Sequence, residues 1–129
     1  MLLKDTMTNL SKKGPNKMKV YAFVGPSGTG KSYRAQMVAG EKNVNYIIDD
    51  GLLVKDNEVV AGESAKKAPT KIETVKKALF YEEKQRQEMI NAIKKFKPEG
   101  ILILGTSDGM VQKIATNLEL PEISEITYI

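Results

Sequence analysis

The feature that most constrains the fold of this chain is the octapeptide GPSGTGKS at residues 25–32. It fits the pattern G-x-x-x-x-G-K-[ST] in full. The apolar run MKVYAFV stands directly before it, and a segment of helical composition follows it. This order predicts a buried strand, a glycine-rich turn and a helix, which is the setting in which the pattern cradles phosphate groups.

The residue types of this loop suit phosphate chemistry. Glycines let consecutive backbone N–H groups point into one concave anion site, and the helix that follows adds the positive end of its dipole. Lys31 brings a compact charge that can reach the β- and γ-phosphates, and Ser32 offers a small oxygen ligand to Mg²⁺. A tight turn alone would explain the glycines but not the Lys–Ser pair. We therefore predict nucleotide contacts from Gly25, Pro26, Ser27, Gly28, Thr29, Gly30, Lys31 and Ser32.

The composition excludes several kinds of catalytic site. The 129 residues include no cysteine and no histidine, which excludes disulfides, thiol nucleophiles and histidine bases and argues against a zinc site. Hydrophobic residues make up 41% and charged residues 28%, as in an ordinary globular domain. The chain has no apolar run of the ~20 residues that a membrane-spanning helix needs, and its start lacks the pattern of a signal peptide. We therefore expect a cytoplasmic domain without a membrane partner.

The positive charge of the chain lies at its start. Residues 1–20 carry five lysines and one aspartate, which accounts for the whole net charge of +4. The remaining residues are balanced in charge, and aromatic residues are 6% of the chain, which leaves few platforms on which bases could stack. We expect residues 1–17 to form a disordered basic tail, and we do not expect the neutral body to bind nucleic acid.

Strand-like and helix-like segments alternate from residue 18 onward. After MKVYAFV, the strand-like runs are NYIIDD, ILILG and EITYI, and residues 52–62 have the pattern of a small hairpin. This alternation predicts an α/β fold, a three-layer sandwich with a parallel sheet of at least four strands and right-handed crossovers. Residues 18–129 would form one nucleotide-binding domain. Because the last strand-like run stops at an apolar residue, we expect a fragment of a longer protein with a further C-terminal domain.

Apolar spacing predicts which faces of the helices are buried. In the helix after the loop, Tyr33, Met37 and Val38 share one side, and Gly40 would end the helix. Four residues of the helical region at 70–97 share a second apolar face: Ile72, Val75, Ala78 and Leu79. The stretch YEEKQRQE that follows has no apolar stripe. It is either the exposed middle of one long helix or a break between two.

Acidic residues follow two of the predicted strands. Asp49 and Asp50 end the NYIIDD run, and Asp108 comes three residues after ILILG. The carboxyl ends of parallel strands meet at the edge that carries the phosphate loop. One of Asp49 and Asp50 would therefore bind Mg²⁺ through water, and the other would accept a proton from a substrate hydroxyl. The alternatives are a solvated strand end with Asp50–Gly51 as a turn, and a helix-capping role for Asp108.

These residues give a set of predicted roles. The predicted catalytic residues are Lys31, Asp49 and Asp50. The predicted metal ligands are Ser32, Asp50 through water and, as a weaker candidate, Asp108. A cluster of lysines in the loop SAKKAPTK could add positive charge over the phosphates, or could be a solvated basic loop: Lys66, Lys67 and Lys71.

The region from residue 18 to residue 50 resembles the opening of P-loop kinases of the nucleotide, nucleoside and shikimate kinase type. That resemblance rests on the strand, the GPSGTGKS loop, the short helix and the strand ending in two aspartates. It implies the sheet order 2-3-1-4, with ILILG beside MKVYAFV. The chain departs from such kinases in having two arginines, Arg34 and Arg86, where a lid usually brings several to the phosphates.

A second resemblance covers nearly all of residues 18–129. The segments NYIIDDGLL, SAKKAPTK and ILILGTSDGM are similar to those of a group of bacterial proteins described only as ATP-binding. Together the patterns predict a Mg²⁺-dependent protein that binds ATP or GTP. It would transfer the terminal phosphoryl group to a small-molecule acceptor or to water. The alternative is a nucleotide-binding regulatory module with slow or no turnover.

Overall fold

A computed structural model of the chain describes residues 18–28 and 30–129. The predicted tail at residues 1–17 and the loop position Thr29 lie outside the described residues. The strands are β1 Lys19–Val24, β2 Tyr46–Asp49, β3 Leu52–Lys55, β4 Glu58–Gly62, β5 Gly100–Gly105 and β6 Ile123–Tyr128. The α-helices are α1 Lys31–Glu41, α2 Lys71–Ala78, α3 Glu83–Phe96 and α4 Asp108–Asn117, and a short 3₁₀ turn covers Ala65–Lys67.

The strands form one mostly parallel sheet in the order β4-β3-β2-β5-β1-β6. Strands β2, β5, β1 and β6 run parallel, whereas β3 pairs antiparallel with both of its neighbours, β2 and β4. The expected pairing of ILILG with MKVYAFV is confirmed, since Tyr21 lies opposite Leu102. The plain order 2-3-1-4 does not describe this sheet, because the hairpin at residues 52–62 extends it by two strands beyond β2.

Both faces of the sheet are covered by helices. Alternate residues of a strand point to opposite faces, so Ile101 and Ile103 belong to one buried cluster while Leu102 and Leu104 belong to another. The first cluster includes residues of α3 and α4, and the second includes residues of α1. The layers are therefore helix, sheet and helix, and the sheet is buried on both sides at its centre.

The buried face of α1 differs from the prediction. Tyr33 is 88% exposed and Met37 is 68% exposed, whereas Ala35, Val38 and Ala39 are buried. Small side chains let this helix approach the sheet closely, so the larger apolar residues remain on its outer side. The expected stop at Gly40 is also wrong by one residue, because α1 continues to Glu41.

The helical region at 70–97 is two helices, and the break is made by a buried aromatic residue. Phe80 has a φ of +60° and is fully buried. The N–H of Tyr81 donates to the Lys76 carbonyl oxygen, which is the closing bond of a Schellman end. Ile72 and Val75 were expected to face the core, but they are 69% and 52% exposed. Helix α2 buries Ala78 and directs its larger apolar residues outward.

A tight turn joins β3 to β4. Asp56 and Asn57 both have positive φ, as the central residues of a type I′ hairpin turn require. The hairpin expected at residues 52–62 is confirmed. In residues 18–28 and 30–129, no helix has both the length and the apolar character needed to cross a membrane.

Candidate functional site

The predicted phosphate loop joins the centre of the sheet to helix α1. Strand β1 ends at Val24, and the N–H of Gly25 donates to the Gly105 carbonyl oxygen at 3.1 Å, which fixes the start of the loop against β5. Gly28 and Gly30 have φ values of +79° and +77°, a left-handed conformation that favours glycine. Helix α1 begins directly after Gly30. Its N-terminus therefore opens at the carboxyl edge of the sheet.

Lys31 folds back over its own loop. Its Nζ donates to the Gly25 carbonyl oxygen at 3.0 Å, and the residue is half-buried. The ammonium group is therefore held against the first residue of the loop. A phosphate oxygen would be a stronger partner than this carbonyl, because a charge-assisted hydrogen bond is roughly twice as strong as one to a neutral acceptor.

Ser32 and Asp49 are brought together at the mouth of the loop. The Ser32 hydroxyl donates to Asp49 Oδ2 at 2.7 Å, although the residues are 17 apart in the chain. Ser32 is in the first turn of α1, and Asp49 is the last residue of β2. The predicted carboxylate of the second strand thus meets the predicted serine ligand.

The donor set at this point fits Mg²⁺. Among the described residues, no group of three or more acidic side chains could hold a metal ion by itself. Mg²⁺ is ordinarily held by one or two protein oxygens together with substrate phosphates and water. The hydroxyl of Ser32 and the carboxylate of Asp49 are two such oxygens beside a phosphate loop, so this pair would hold the ion jointly with a nucleotide.

Asp50 is in the turn between β2 and β3. Asp50 and Gly51 have φ values of +55° and +85°, which again marks a type I′ turn. The Asp50 carboxylate accepts a hydrogen bond from the Ser64 hydroxyl at 3.1 Å. The turn expected at this position is present, and the side chain contacts the loop before α2. The catalytic and metal roles of Asp50 stay predictions.

Asp108 is held by the last strand. Ser107, not Asp108, caps helix α4, because the Ser107 hydroxyl accepts from the Met110 N–H at 3.1 Å. The Tyr128 hydroxyl donates to the Asp108 carboxylate, and it lies 2.9 Å from each of the two oxygens. That hydrogen bond raises the pKa of Tyr128. A metal ion at Asp108 would therefore compete with Tyr128, and the metal role stays a prediction.

A cleft of about 880 Å³ opens above the loop. Its floor is the phosphate loop with Asp49 at the end of β2 and Asp50 directly after it, and its walls are α2 and the start of α4. The lining residues outside the predicted site are Tyr33, Lys66, Thr74, Val75, Ala78, Leu79, Leu104, Gly105, Thr106, Ser107, Gly109, Met110 and Lys113. The exposure of Val75, which the core prediction missed, follows from its position on this wall.

Two lysines bring positive charge to the cleft. Lys66 reaches it from the 3₁₀ turn and Lys113 from helix α4, whereas Lys67 and Lys71 do not line it. Within the part of the chain that the structure describes, neither ammonium group has a hydrogen-bond or ion-pair partner. Lys66 was one of three candidates in the SAKKAPTK loop. Lys113 was missed, because nothing in its immediate sequence distinguishes it from a solvated lysine on a helix.

A comparison of the sequence with known families identifies the chain. A model of the ATPase family associated with various cellular activities (AAA) matches residues 21–122. No curated protein and no solved structure gives a significant match. The matched range includes the phosphate loop, the Ser32–Asp49 pair and both walls of the cleft. It supports a P-loop NTPase that binds ATP, and it does not single out the kinase type or the bacterial ATP-binding group. The chain belongs to the ATPase family associated with various cellular activities.

Proposed function

We propose that the protein binds Mg²⁺-ATP in the cleft above the phosphate loop and cleaves or transfers the terminal phosphoryl group. The observation that carries this proposal is the Ser32–Asp49 hydrogen bond of 2.7 Å beside a left-handed glycine loop and Lys31. The proposal is supported by the meeting of the glycine loop, the Lys31 ammonium group and the Ser32 and Asp49 oxygens at one edge of the sheet.

Each residue has a definite task in this proposal. Backbone N–H groups of the loop and the N-terminus of α1 bind the phosphates. Lys31 stabilises negative charge on the terminal phosphate as the bond to it breaks. Asp49 orients Ser32 and supplies negative charge next to the metal position. Mg²⁺, when bound with the nucleotide, neutralises phosphate charge.

The apolar wall of the cleft favours a small-molecule acceptor as a second possibility beside water. Val75, Leu79 and Met110 face the cleft opposite the polar loop. The volume of about 880 Å³ lies in the upper part of the roughly 300–1,000 Å³ range of small-molecule sites. In the kinase version of the proposal, this wall holds the acceptor while the loop holds the phosphates.

The test is nucleotide affinity and ADP release for the wild type and for Lys31→Ala. Loss of one charge-assisted contact of about 1.5–3 kcal/mol weakens ATP binding roughly tenfold to a hundredfold. Arg34→Ala is the matched control, since Arg34 is an exposed cation one turn further along α1 and does not line the cleft. We expect it to bind ATP as the wild type does.

The same assays separate the possible reactions. ATP and GTP are compared by calorimetry, and ADP release is followed over hours with and without candidate acceptors. Release without an acceptor supports hydrolysis, and stimulation by an acceptor supports a kinase. Binding without any release supports a regulatory module. Equal ATP affinity for Lys31→Ala and the wild type would contradict the whole proposal.

A further inference from the structure

We propose that Lys66 contacts the terminal phosphate of the bound nucleotide and that Asp50 positions Lys66 through Ser64. In this proposal Asp50 is a positioning residue and does not bind the metal. The inference rests on the proposed function, because it needs a nucleotide in the cleft. It is carried by the hydrogen bonds and close backbone contacts that join the β2–β3 turn to the 3₁₀ turn at Ala65–Lys67.

The backbone after β4 is pressed against the turn after β2. A Cβ atom at Gly51 would collide with the Glu63 carbonyl oxygen, and one at Gly62 would collide with the Gly51 carbonyl oxygen. The Ala65 N–H donates to the Asp50 carbonyl oxygen at 2.8 Å. These contacts bring the chain back to the edge of the sheet that carries the phosphate loop.

Ser64 links the Asp50 side chain to the start of the 3₁₀ turn. Its hydroxyl donates to Asp50 Oδ2 at 3.1 Å and accepts from the Lys66 N–H at 3.2 Å. Ala65, between them, is fully buried. The backbone of Lys66 is therefore tied to Asp50 by one side-chain bridge and one adjacent backbone bond.

Lys66 is unlike the nearby lysines Lys67 and Lys77 because its side chain lines the cleft and has no acidic partner among the residues that the structure describes. Lys77 is paired with Glu63 at 2.9 Å, and Lys67 lies outside the cleft lining. Lys66 lines the cleft with Lys31, and its ammonium group has no protein partner in the described part of the chain. Lys113 lines the same cleft from helix α4, and several cations that face one cleft favour an anion between them. The terminal phosphate is such an anion in the proposed complex, and a lysine suits it as a point charge.

The contacts of Asp50 argue against a metal role for it. One of its carboxylate oxygens is bound to Ser64, and its backbone is fixed in the left-handed turn. The predicted metal ligand Ser32 donates its hydrogen bond to Asp49 instead. The two neighbouring aspartates thus accept hydrogen bonds from two different serines. Asp49 accepts from Ser32 at the phosphate loop, and Asp50 accepts from Ser64 in the segment that carries Lys66.

The experiment compares Lys66→Ala with Lys67→Ala, two lysines in the same 3₁₀ turn. Affinities for Mg²⁺-ATP and Mg²⁺-ADP are measured by calorimetry, with Lys31→Ala and the wild type alongside. We expect Lys66→Ala to weaken ATP binding about tenfold and to change ADP binding less than twofold, because ADP lacks the terminal phosphate. Lys67→Ala should match the wild type for both nucleotides.

The positioning role is tested with Asp50→Ala, Asp50→Asn and Ser64→Ala. Asp50→Ala and Ser64→Ala should lose ATP affinity selectively, as Lys66→Ala does, and Asp50→Ala combined with Lys66→Ala should be no worse than Lys66→Ala alone. Asparagine keeps an oxygen that accepts from Ser64, so Asp50→Asn should retain the affinity of the wild type. The amide would lose the negative charge that a metal role relies on and the proton acceptor that a base needs. Thermal unfolding of each variant checks that it is folded.

The possible contrary results are distinct. Equal effects of Lys66→Ala and Lys67→Ala would overturn the phosphate contact. Additive losses in the double variant would overturn the positioning role. So would an Asp50→Asn variant that loses Mg²⁺ dependence of ATP binding. If the wild type binds no ATP, or Lys31→Ala binds it equally well, the proposed function itself has failed and the inference falls with it.

Discussion

At the scale of single residues, Lys31 and Ser32 each have a specific protein partner. Lys31 contacts the carbonyl oxygen of its own loop at 3.0 Å, and Ser32 contacts Asp49 at 2.7 Å. The carbonyl partner is local, so it follows from the loop pattern itself. The aspartate partner is 17 residues away in the chain. It lies next to Ser32 because β2 ends at the edge of the sheet where the loop opens.

Asp49→Asn tests the metal side of the site. The amide keeps the size of the side chain but removes a negative charge, so Mg²⁺ should improve ATP binding less than in the wild type. Binding of ATP without metal should be unchanged. The measurement is ATP affinity in a Mg²⁺ titration and in the presence of a chelator. Asp56→Asn is the control, since Asp56 is exposed in the β3–β4 turn and asparagine tolerates its positive φ.

Asp108 is the alternative residue for the metal role that this prediction gives to Asp49. If Asp49→Asn responds to Mg²⁺ as the wild type does while Asp108→Asn does not, the carboxylate after β5 supports the metal and our assignment is wrong.

Single residues also show where sequence reasoning reached its limit within the site. Glycine, lysine and serine at fixed spacing define the loop, because the chemistry depends on neighbours in the chain. Lys113 and Thr74 line the same cleft, but their positions depend on how α4 and α2 pack. Nothing in their immediate sequence distinguishes them from solvated helix residues.

At the scale of elements, α1 and α2 were predicted as helices, but their buried faces were only partly correct. Val38 and Ala78 are buried as expected, whereas the larger apolar residues of both helices are exposed. Apolar spacing marks Tyr33 and Val75 as core residues, yet both line the cleft and are exposed. A ligand site and a hydrophobic core use similar side chains. The strands were easier to predict, because β1 and β5 are buried on both faces and have almost continuous apolar runs.

The contact between β6 and α4 yields a pH prediction. The Asp108 hydrogen bond raises the pKa of Tyr128 above its ordinary value of about 10. A raised pKa in the folded state means that the bond stabilises the protein below about pH 10, and that this stabilisation is lost as the pH rises through the folded-state pKa. Tyr128→Phe should therefore unfold at a slightly lower temperature than the wild type at pH 7–9, and the difference should vanish at higher pH.

Thermal unfolding of Tyr128→Phe and of Tyr33→Phe between pH 7 and pH 11 checks this prediction. Tyr33 is 88% exposed and has no hydrogen-bond partner for its hydroxyl among the described residues, so its variant should follow the wild type. A destabilisation of Tyr128→Phe that stays constant across the whole range would show that packing, and not the hydroxyl, links β6 to α4.

At the scale of the whole molecule, the parallel strands separate two opposite edges of the sheet. The phosphate loop follows the carboxyl end of β1, whereas Met18 stands at its amino end. At about 3.3 Å per residue, the six residues of β1 place these ends roughly 20 Å apart. The basic tail therefore joins the domain at the edge away from the proposed nucleotide site.

Deletion of residues 1–17 should leave the affinity for ATP within about twofold of the full chain, because the tail is attached to the far edge. The tail carries most of the net positive charge. The shortened chain should therefore bind a cation-exchange resin or a polyanion less tightly than the full chain does. Calorimetry with ATP and a salt-gradient elution measure the two effects. A tenfold loss of ATP affinity in the shortened chain would place the tail in the site.

The central position of β1 has a consequence for how the protein is made. Its two neighbours, β5 and β6, follow the phosphate loop by about 70 and about 90 residues, and a Cβ at Gly25 would collide with Ile129. A ribosome adding roughly 5–20 residues per second needs several seconds after making the loop to complete these partners. During that interval the nascent chain contains the whole phosphate-binding sequence without the sheet that shapes it. Nucleotide should therefore be unable to assist folding until after strand β6 has left the exit tunnel.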